Sequence, residues 1–168
     1  MATTKKTTAS ADAKREQALA ITRRYMLYSA GAGIIPIPIV DLATLVGVQM
    51  KMVSEISQVY DVEFSENKAK NTISAALSGV TASTFAQGTI GSSIKAIPFV
   101  GTIVGSLTMP FFSSASAYAL SNVFINHFEE GGTFLDLDAE KFKENFKSMF
   151  KKGKKATADM KEEVEAKA

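Results

Sequence analysis

The side chains that could do chemistry in this chain are few and isolated. The only histidine, His127, stands beside Glu129 and Glu130, a grouping that suits a metal ion or acid–base chemistry. No second histidine and no cysteine is present to complete a transition-metal site or to act as a thiolate nucleophile. His127 also falls where a helix is predicted to end, which explains it on structural grounds. The sequence therefore predicts no catalytic residue, no metal site and no cofactor.

The string from Gly88 to Lys95, GTIGSSIK, is the part of the sequence most similar to a nucleotide-binding motif. A phosphate-binding loop needs G-x4-G-K-[ST], so that backbone N–H groups surround the phosphates and the lysine reaches them. This string has neither that spacing nor a Ser or Thr after the lysine. Basic residues interleaved with aromatic platforms are missing as well. We predict a non-enzymatic protein that binds no nucleic acid.

Asp41 is the only charged residue between Arg24 and Lys51. If a helix begins at Pro38, Asp41 lies in its first turn, where the helix dipole favours an anion. The alternative is an acid within a membrane that binds a cation or a proton. An ion pathway would need further buried ionisable groups, and only Glu55 and Lys95 qualify. The sequence leaves both interpretations open.

Charge is concentrated at the two ends of the chain. The first 24 residues carry six Lys or Arg against two acids, and residues 127–168 carry nine Lys against ten acids. Between them, residues 96–126 contain no charged side chain at all. The N-terminus lacks the apolar core of a cleaved signal peptide. This amphiphilic distribution is typical of proteins that meet an apolar environment with their central part.

The hydrophobic periodicity predicts helices throughout and no strand. Residues 1–10 are polar and predicted to be disordered. Helices are predicted from about Ser10 to Ala30, from Pro38 to Tyr60, from Glu66 to Ile94 and from Phe111 to Phe128, with Gly131 and Gly132 capping the last of these. A further amphipathic helix is predicted from about Asp138 to Lys152, followed by a charged tail.

Two apolar proline turns interrupt these helices. The first comprises Ile34, Ile35, Pro36, Ile37 and Pro38, and the second Ile97, Pro98, Phe99 and Val100. Turns of soluble proteins are usually rich in Asn, Asp, Gly and Ser, so apolar turns indicate another environment. We predict that these nine residues insert into a bilayer as the tips of hairpins. The arms are too short for simple spanning, which favours a re-entrant or monotopic insertion.

Small residues recur at helical spacing next to these turns. Ala75, Gly79 and Ser83 stand four residues apart, and Gly101 and Gly105 form a GxxxG. Such spacing lets two helix backbones approach closely. We predict that these faces mediate helix packing or self-association.

The C-terminal helix has phenylalanines on one side and lysines on the others. Phe142, Phe146 and Phe150 recur at intervals of four, and Lys151 and Lys152 follow. On an anionic membrane the rings would dip into the interface and the lysines would lie over the headgroups. The alternative is that the rings pack on the bundle.

The strings from Ala32 to Pro38 and from Ile97 to Gly101, together with Asp41, Gln49 and Met52, resemble a bacterial family of unknown function, the YcjF-like group. Members of that group are hydrophobic helical domains, often fused to or encoded beside Era-like GTPases. The resemblance covers roughly residues 20–130. It implies membrane association and a GTPase partner, and it supplies no catalytic residues.

The sequence therefore predicts an all-α protein of helical hairpins forming a small, membrane-associated bundle. The predicted divisions are a disordered stretch at 1–10, a hydrophobic hairpin domain at 11–132, an amphipathic helix at 133–152 and a charged tail at 153–168. The predicted partners are membrane lipid, further copies of the chain and a GTPase. The predicted location is the cytoplasmic side of a bacterial inner membrane, where the protein anchors or scaffolds an assembly. A soluble interaction bundle and a pore-forming protein remain the alternatives.

Overall fold

The computed structural model of the chain describes residues 2–31, 42–89 and 109–167. Within these ranges the chain forms five α-helices and no strand. The fold class predicted from the sequence, all-α, is thus confirmed for the described residues. The helices are α1 (Ala2–Gly31), α2 (Leu42–Val59), α3 (Glu66–Thr89), α4 (Met109–Glu129) and α5 (Ala139–Ala166).

Two helix boundaries match local signals in the sequence. α4 ends at Glu129 and is followed by Gly131, whose φ of +84° is a left-handed conformation that glycine adopts without strain. The N–H groups of Gly131 and Gly132 donate to the carbonyls of Phe128 and His127, which closes the helix as predicted. α5 begins after Asp138, whose carboxylate accepts a hydrogen bond from the Lys141 N–H at 2.8 Å.

Two other boundaries differ from the prediction. α1 begins at Ala2, so residues 2–10, predicted to be disordered, belong to a helix. Once a helix has nucleated, each added residue forms one more backbone hydrogen bond, so an alanine-rich helix extends into a polar flank. α5 does not stop at Lys152 but continues to Ala166, and Gly153, Thr157 and Met160 are buried along it.

α4 is the central helix of the bundle and packs against α1, α2 and α5. Ser29 of α1 meets Ser113, and Arg15 meets Glu129, so α1 runs antiparallel to α4. Gln49 of α2 meets Ser113, and Tyr60, just beyond α2, meets Glu129, so α2 runs parallel to α4.

α5 is antiparallel to α4. The ring of Phe142 packs against the ring of Phe124, and the ring of Phe150 packs against the ring of Phe112. Because α4 contacts three helices, its charge-free sequence is explained by burial within the bundle.

The phenylalanine stripe of α5 lies in the core. Phe142, Phe146 and Phe150 are each no more than 5% exposed, so they contact α4 and do not lie at the surface as the membrane-interface prediction required. The alternative, packing on the bundle, describes this structure. Lys151 and Lys152 are exposed, as predicted. The apolar face of an amphipathic helix can be buried equally well against protein or lipid. The sequence alone therefore did not decide between packing on the bundle and binding at a membrane interface.

The small-residue face predicted on α3 is only partly used. Ala75 is exposed, so it is not part of a helix interface within this bundle, and the predicted self-association through Ala75 stays a prediction. Gly79 is half-buried, and a Cβ atom there would lie 3.5 Å from the side chain of Lys143 on α5. The side chain of Ser83 and the residues Gly101 and Gly105 lie outside the described part of the chain, so their packing roles stay predictions.

Candidate functional site

Both predicted insertion turns lie in chain segments outside the described residues, as do Asp41 and Lys95. Their place in the molecule is nevertheless bounded by the helix ends that flank them. Residues 32–41 connect the end of α1 to the start of α2, and residues 90–108 connect the end of α3 to the start of α4. The described flanks therefore show where the two apolar segments are joined to the helices.

Three of these flanking regions converge. Ser113, near the start of α4, donates a hydrogen bond to Ser29, near the end of α1, at 3.0 Å. The Ser113 carbonyl oxygen accepts from the side-chain amide of Gln49, in the first half of α2, at 3.3 Å. We call this end of the bundle, defined by Ser29, Gln49 and Ser113, the segment end. Both apolar segments adjoin the segment end.

The interior of the segment end contains polar side chains. Ser114 accepts a hydrogen bond from Thr157 of α5 at 3.2 Å, with both residues buried. Ser116 is fully buried and Gln49 is 1% exposed. The Ser116 hydroxyl and the Gln49 side-chain oxygen have no hydrogen-bond partner among the described residues. An unpaired buried polar atom costs about 1–3 kcal/mol, so this region is less stably packed than an apolar core.

The opposite end of the bundle is aromatic and charged. We call it the loop end, defined by Tyr60, Glu129 and Phe134. Phe124, Phe128 and Phe134 lie with ring centroids 5.4–5.6 Å apart, and Phe64 joins them through Phe134. Such ring pairs contribute about 0.5–1.5 kcal/mol each beyond their buried area.

Charged contacts surround this aromatic cluster. The carboxylate of Glu129 accepts from Arg15 and, at 2.9 Å, from the hydroxyl of Tyr60, which joins α1 and the end of α2 to α4. Burial, followed by the contact with Glu129, raises the pKa of Tyr60 above its usual value. Lys14 pairs with Asp61 at 2.6 Å, although both groups are exposed. The loop end thus holds three helices together with side chains.

His127 lies in the last turn of α4 and has a structural role in the loop that follows. Its Nε2 lies 2.8 Å from the carbonyl oxygen of Thr133, so this nitrogen donates. Asp136 accepts from the Thr133 N–H and hydroxyl, both at 2.6 Å, and these bonds, with a smaller effect from His127, lower the pKa of Asp136.

A cavity of about 230 Å³ lies beside His127, next to Glu130 and Asp138. Within the described ranges, however, no three His, Asp or Glu side chains are grouped so that they could hold a metal ion.

Glu55, one of the predicted candidates for an ion pathway, is engaged in a contact between α1 and α2. Its two carboxylate oxygens accept from Arg24 and, at 2.8 Å, from the hydroxyl of Tyr25. Burial and the hydrogen bond to Glu55 raise the pKa of Tyr25 to about 12. This arrangement repeats the one around Glu129, with an arginine of α1 and a tyrosine sharing one carboxylate. Glu55 therefore contributes to packing in this structure.

Among residues 2–31, 42–89 and 109–167, no helix combines the length and the apolar character needed to cross a bilayer.

Comparison with known proteins places the chain in a family. Residues 5–155 match the family described as Domain of unknown function (DUF697), and the chain belongs to that family. The chain is also similar to Magnetosome membrane protein 22 of Magnetospirillum gryphiswaldense, strain MSR-1. The two are 33% identical over 144 residues, which is 86% of this chain and 74% of that relative. No solved structure matches the chain. The expectation that the chain belongs to a family of unknown function is thus confirmed.

Two residues that shape the site, Gly153 and Gln49, were given no packing role from the sequence. Gly153 lies where α5 crosses α4, and a Cβ atom there would be 2.5 Å from the carbonyl oxygen of Ala115. Gln49 occupies the apolar face of α2 between Leu45 and Met52, both buried. The signal for Gln49 was available, because a polar residue at an apolar helical position marks a buried polar contact. Gly153 carried no such signal, since a glycine among lysines is typical of a helix end.

Proposed function

We propose that this protein is a non-enzymatic, membrane-associated protein that attaches to a bilayer through the apolar segments at its segment end. The observation that carries the proposal is the convergence of helix ends at Ser29, Gln49 and Ser113. Because both apolar proline turns belong to segments that adjoin this one end, a single approach of the bundle brings both to the same membrane surface. The protein would then act as a scaffold or anchor on the cytoplasmic side of a bacterial inner membrane, as a peripheral or re-entrant protein.

Exposed apolar side chains near the segment end support this orientation. Leu27 and Tyr28 lie in the last turns of α1, and Tyr28 is 63% exposed. Val48, in the first half of α2, is also exposed. Tyrosine is favoured at membrane–water interfaces because its ring is apolar and its hydroxyl is polar. The loop end carries one comparable residue, Leu135, within a charged loop.

The similarity to Magnetosome membrane protein 22 supports membrane association as well. That relative is a membrane protein by its name, and the described helices of this chain contain no spanning segment. A protein attached through short apolar turns satisfies both observations. Two further partners remain part of the proposal: additional copies of the chain, packed through Gly101 and Gly105, and a GTPase, expected from the resemblance to the YcjF-like group.

The direct test is co-flotation of the full chain with liposomes. The variant Ile35→Asp/Phe99→Asp places one carboxylate in each apolar turn. The wild type is expected to float with the vesicles, and this variant is expected to stay behind, because a charge in the apolar region costs about 2.5–3.5 kcal/mol.

The matched control is Gln58→Asp/Leu135→Asp, which adds the same charge at two exposed positions near the loop end. The control is expected to float like the wild type. Equal flotation of all three proteins would show that the turns are not the anchors. Recovery of the wild type as a compact monomer in the detergent-free soluble fraction would also contradict the proposal.

A further inference from the structure

The exposed side of α5 carries a run of lysines without acids. From residue 145 to residue 158 there are five lysines and no Asp or Glu. These are Lys147, Lys151, Lys152, Lys154 and Lys155, all exposed, and we call them the lysine face. Over about 12 Å of helix they place five positive charges. Elsewhere along α5 positive and negative charges alternate.

The helix geometry separates the lysine face from the buried stripe of α5. At 100° per residue the five lysines occupy an arc of about 160°. The buried residues Phe146, Phe150, Gly153 and Thr157 occupy the opposite side, against α4. Because the phenylalanines are already buried in the core, this helix offers charge and not apolar surface to a partner.

The lysine face is not neutralised within the described part of the molecule. None of its five ammonium groups forms an ion pair with a described acid. Of the acids that follow it on α5, Glu163 accepts from Arg23 of α1 at 3.0 Å, and Glu165 lies 3.7 Å from Lys161. The positive charge is therefore available to an external anion.

The position of the lysine face along the bundle is set by the contacts of α5 with α4. Phe150 lies against Phe112, with ring centroids 5.4 Å apart, and Thr157 donates to Ser114. Residues 112–114 stand at the start of α4, just after the apolar segment 90–108. The lysine face thus lies beside the segment end.

We propose that the lysine face binds the headgroups of anionic phospholipids and so orients the segment end toward the bilayer. The inference rests on the proposed function and adds the chemistry of the lipid that the protein selects. Each lysine near an anionic surface strengthens binding about fivefold, so four lysines contribute a factor of several hundred. The contribution is screened by salt, since the Debye length falls to about 3 Å at 1 M ionic strength.

The test compares two quadruple variants of the full chain. The first is Lys151→Gln/Lys152→Gln/Lys154→Gln/Lys155→Gln. The matched control is Lys51→Gln/Lys68→Gln/Lys70→Gln/Lys141→Gln, which removes the same charge from exposed lysines outside the lysine face. Circular dichroism establishes that both are as helical as the wild type.

Partitioning is measured on vesicles of phosphatidylcholine alone and of phosphatidylcholine mixed with phosphatidylglycerol. The wild type and the control are expected to bind the mixed vesicles more than a hundredfold better than the first variant at low salt. High salt is expected to abolish that difference. Equal binding of the two quadruple variants to the mixed vesicles would overturn the inference. Tighter binding of the wild type to a short DNA duplex than to the mixed vesicles would assign the lysines to nucleic acid, and would also overturn it.

The failure of this inference can be told apart from the failure of membrane insertion. If only insertion fails, the Ile35→Asp/Phe99→Asp variant binds the mixed vesicles as well as the wild type, and high salt releases both. If only the lysine face fails, the wild type binds neutral and mixed vesicles alike at any salt concentration. Absence of wild-type binding to both kinds of vesicle overturns both proposals.

Discussion

The loop end and the segment end of the bundle are built from different side chains, although α4 runs through both. At the loop end Phe124, Phe128 and Phe134 fill the interior, and Glu129 joins three elements through Arg15 and Tyr60. At the segment end, buried serines, alanines and Gln49 lie beside Phe112, and two of the buried polar atoms have no hydrogen-bond partner among the described residues. Small side chains bury less apolar area, so the second region gains less from the hydrophobic effect.

This difference suits a protein that is anchored by one end. Aromatic packing and shared carboxylates make the loop end the more stable part. Local stability varies across a protein, and regions that bind or rearrange are drawn from its less stable parts. We infer that the bundle separates the two tasks: the loop end maintains the fold, and the segment end presents the apolar segments.

The largest effect is expected from Phe124→Ala. Phe124 is fully buried and its ring contacts Phe128, Phe134 and Phe142, so the change should lower the free energy of unfolding by about 3–5 kcal/mol. Phe112→Ala, at the segment end, is the comparison, because Phe112 has a ring contact with Phe150 alone among the described aromatic residues. Urea unfolding followed by circular dichroism measures both. Equal losses would mean that the two ends contribute alike to stability.

The crossing of α4 and α5 is tested by Gly153→Ala. The added Cβ atom would lie 2.5 Å from the Ala115 carbonyl oxygen and 3.2 Å from the ring of Tyr118, so the helices must move apart. We expect a loss of about 1–3 kcal/mol in the free energy of unfolding. Gly47→Ala is the control, since no atom of the described residues, apart from the adjoining backbone of α2 itself, lies within 4 Å of its Cβ position. That change should raise stability by about 0.5–1 kcal/mol through helix propensity, and a gain at both glycines would contradict the close crossing.

The tyrosine–carboxylate contacts are tested by Tyr60→Phe at the loop end and Tyr25→Phe on the α1–α2 contact. Each change removes a hydrogen bond to a carboxylate and should lower the free energy of unfolding by about 1 kcal/mol at neutral pH. Thermal unfolding measures the change. No loss in either variant would show that the shared carboxylates do not hold α1.

The same tyrosines predict a loss of stability in alkali. The pKa of Tyr25 is raised from 10.0 to about 12, so the folded protein keeps a proton that the unfolded chain releases above pH 10. This contribution is complete below pH 10 and is lost as the pH rises toward 12. Tyr25→Phe should reduce the slope of the unfolding free energy against pH in this window. An unchanged slope would contradict the raised pKa.

The smallest effect is expected at the segment end, where Ser116→Ala should stabilise the protein. Removing a buried hydroxyl without a partner ends its desolvation cost, so we expect a gain of about 1 kcal/mol. Ser114→Ala is the control, because Ser114 accepts from Thr157 at 3.2 Å and its loss leaves that buried hydroxyl unpaired. The two serines should therefore change stability in opposite directions. A loss in both variants would place a hydrogen-bond partner beside Ser116.

The fold was predictable where local signals suffice. The apolar spacing of α2, the Asp138 cap of α5 and the glycines after α4 each act over one or two turns, and the structure agrees with them. The packing of the phenylalanine stripe was not predictable, because Phe142, Phe146 and Phe150 would face a membrane or a helix with the same spacing. The end of α5 was also missed, since its continuation depends on how closely α4 approaches.

Of the candidate site, the sequence predicted the apolar turns and two of the exposed lysines. It did not predict that the segments 32–41 and 90–108 are each joined to a helix end at the same end of the bundle. That placement depends on long-range contacts such as the one between Ser29 and Ser113, which no local pattern encodes. The polar contact of Gln49 was missed for a different reason, because its local signal, a polar residue on the apolar face of α2, was present in the sequence and not used.

The glycine at the crossing of α4 and α5 determines which side of α5 faces away from the bundle. Gly153 stands between two pairs of lysines, and only a position without a side chain fits against the backbone of Ala115. Turning α5 by one residue, about 100°, would press a lysine against α4 and move the charges around the bundle. Gly153 therefore restricts α5 to one rotation about its own axis, the one in which the glycine faces α4. A residue that carries no charge thus determines which way the positive charge of α5 points.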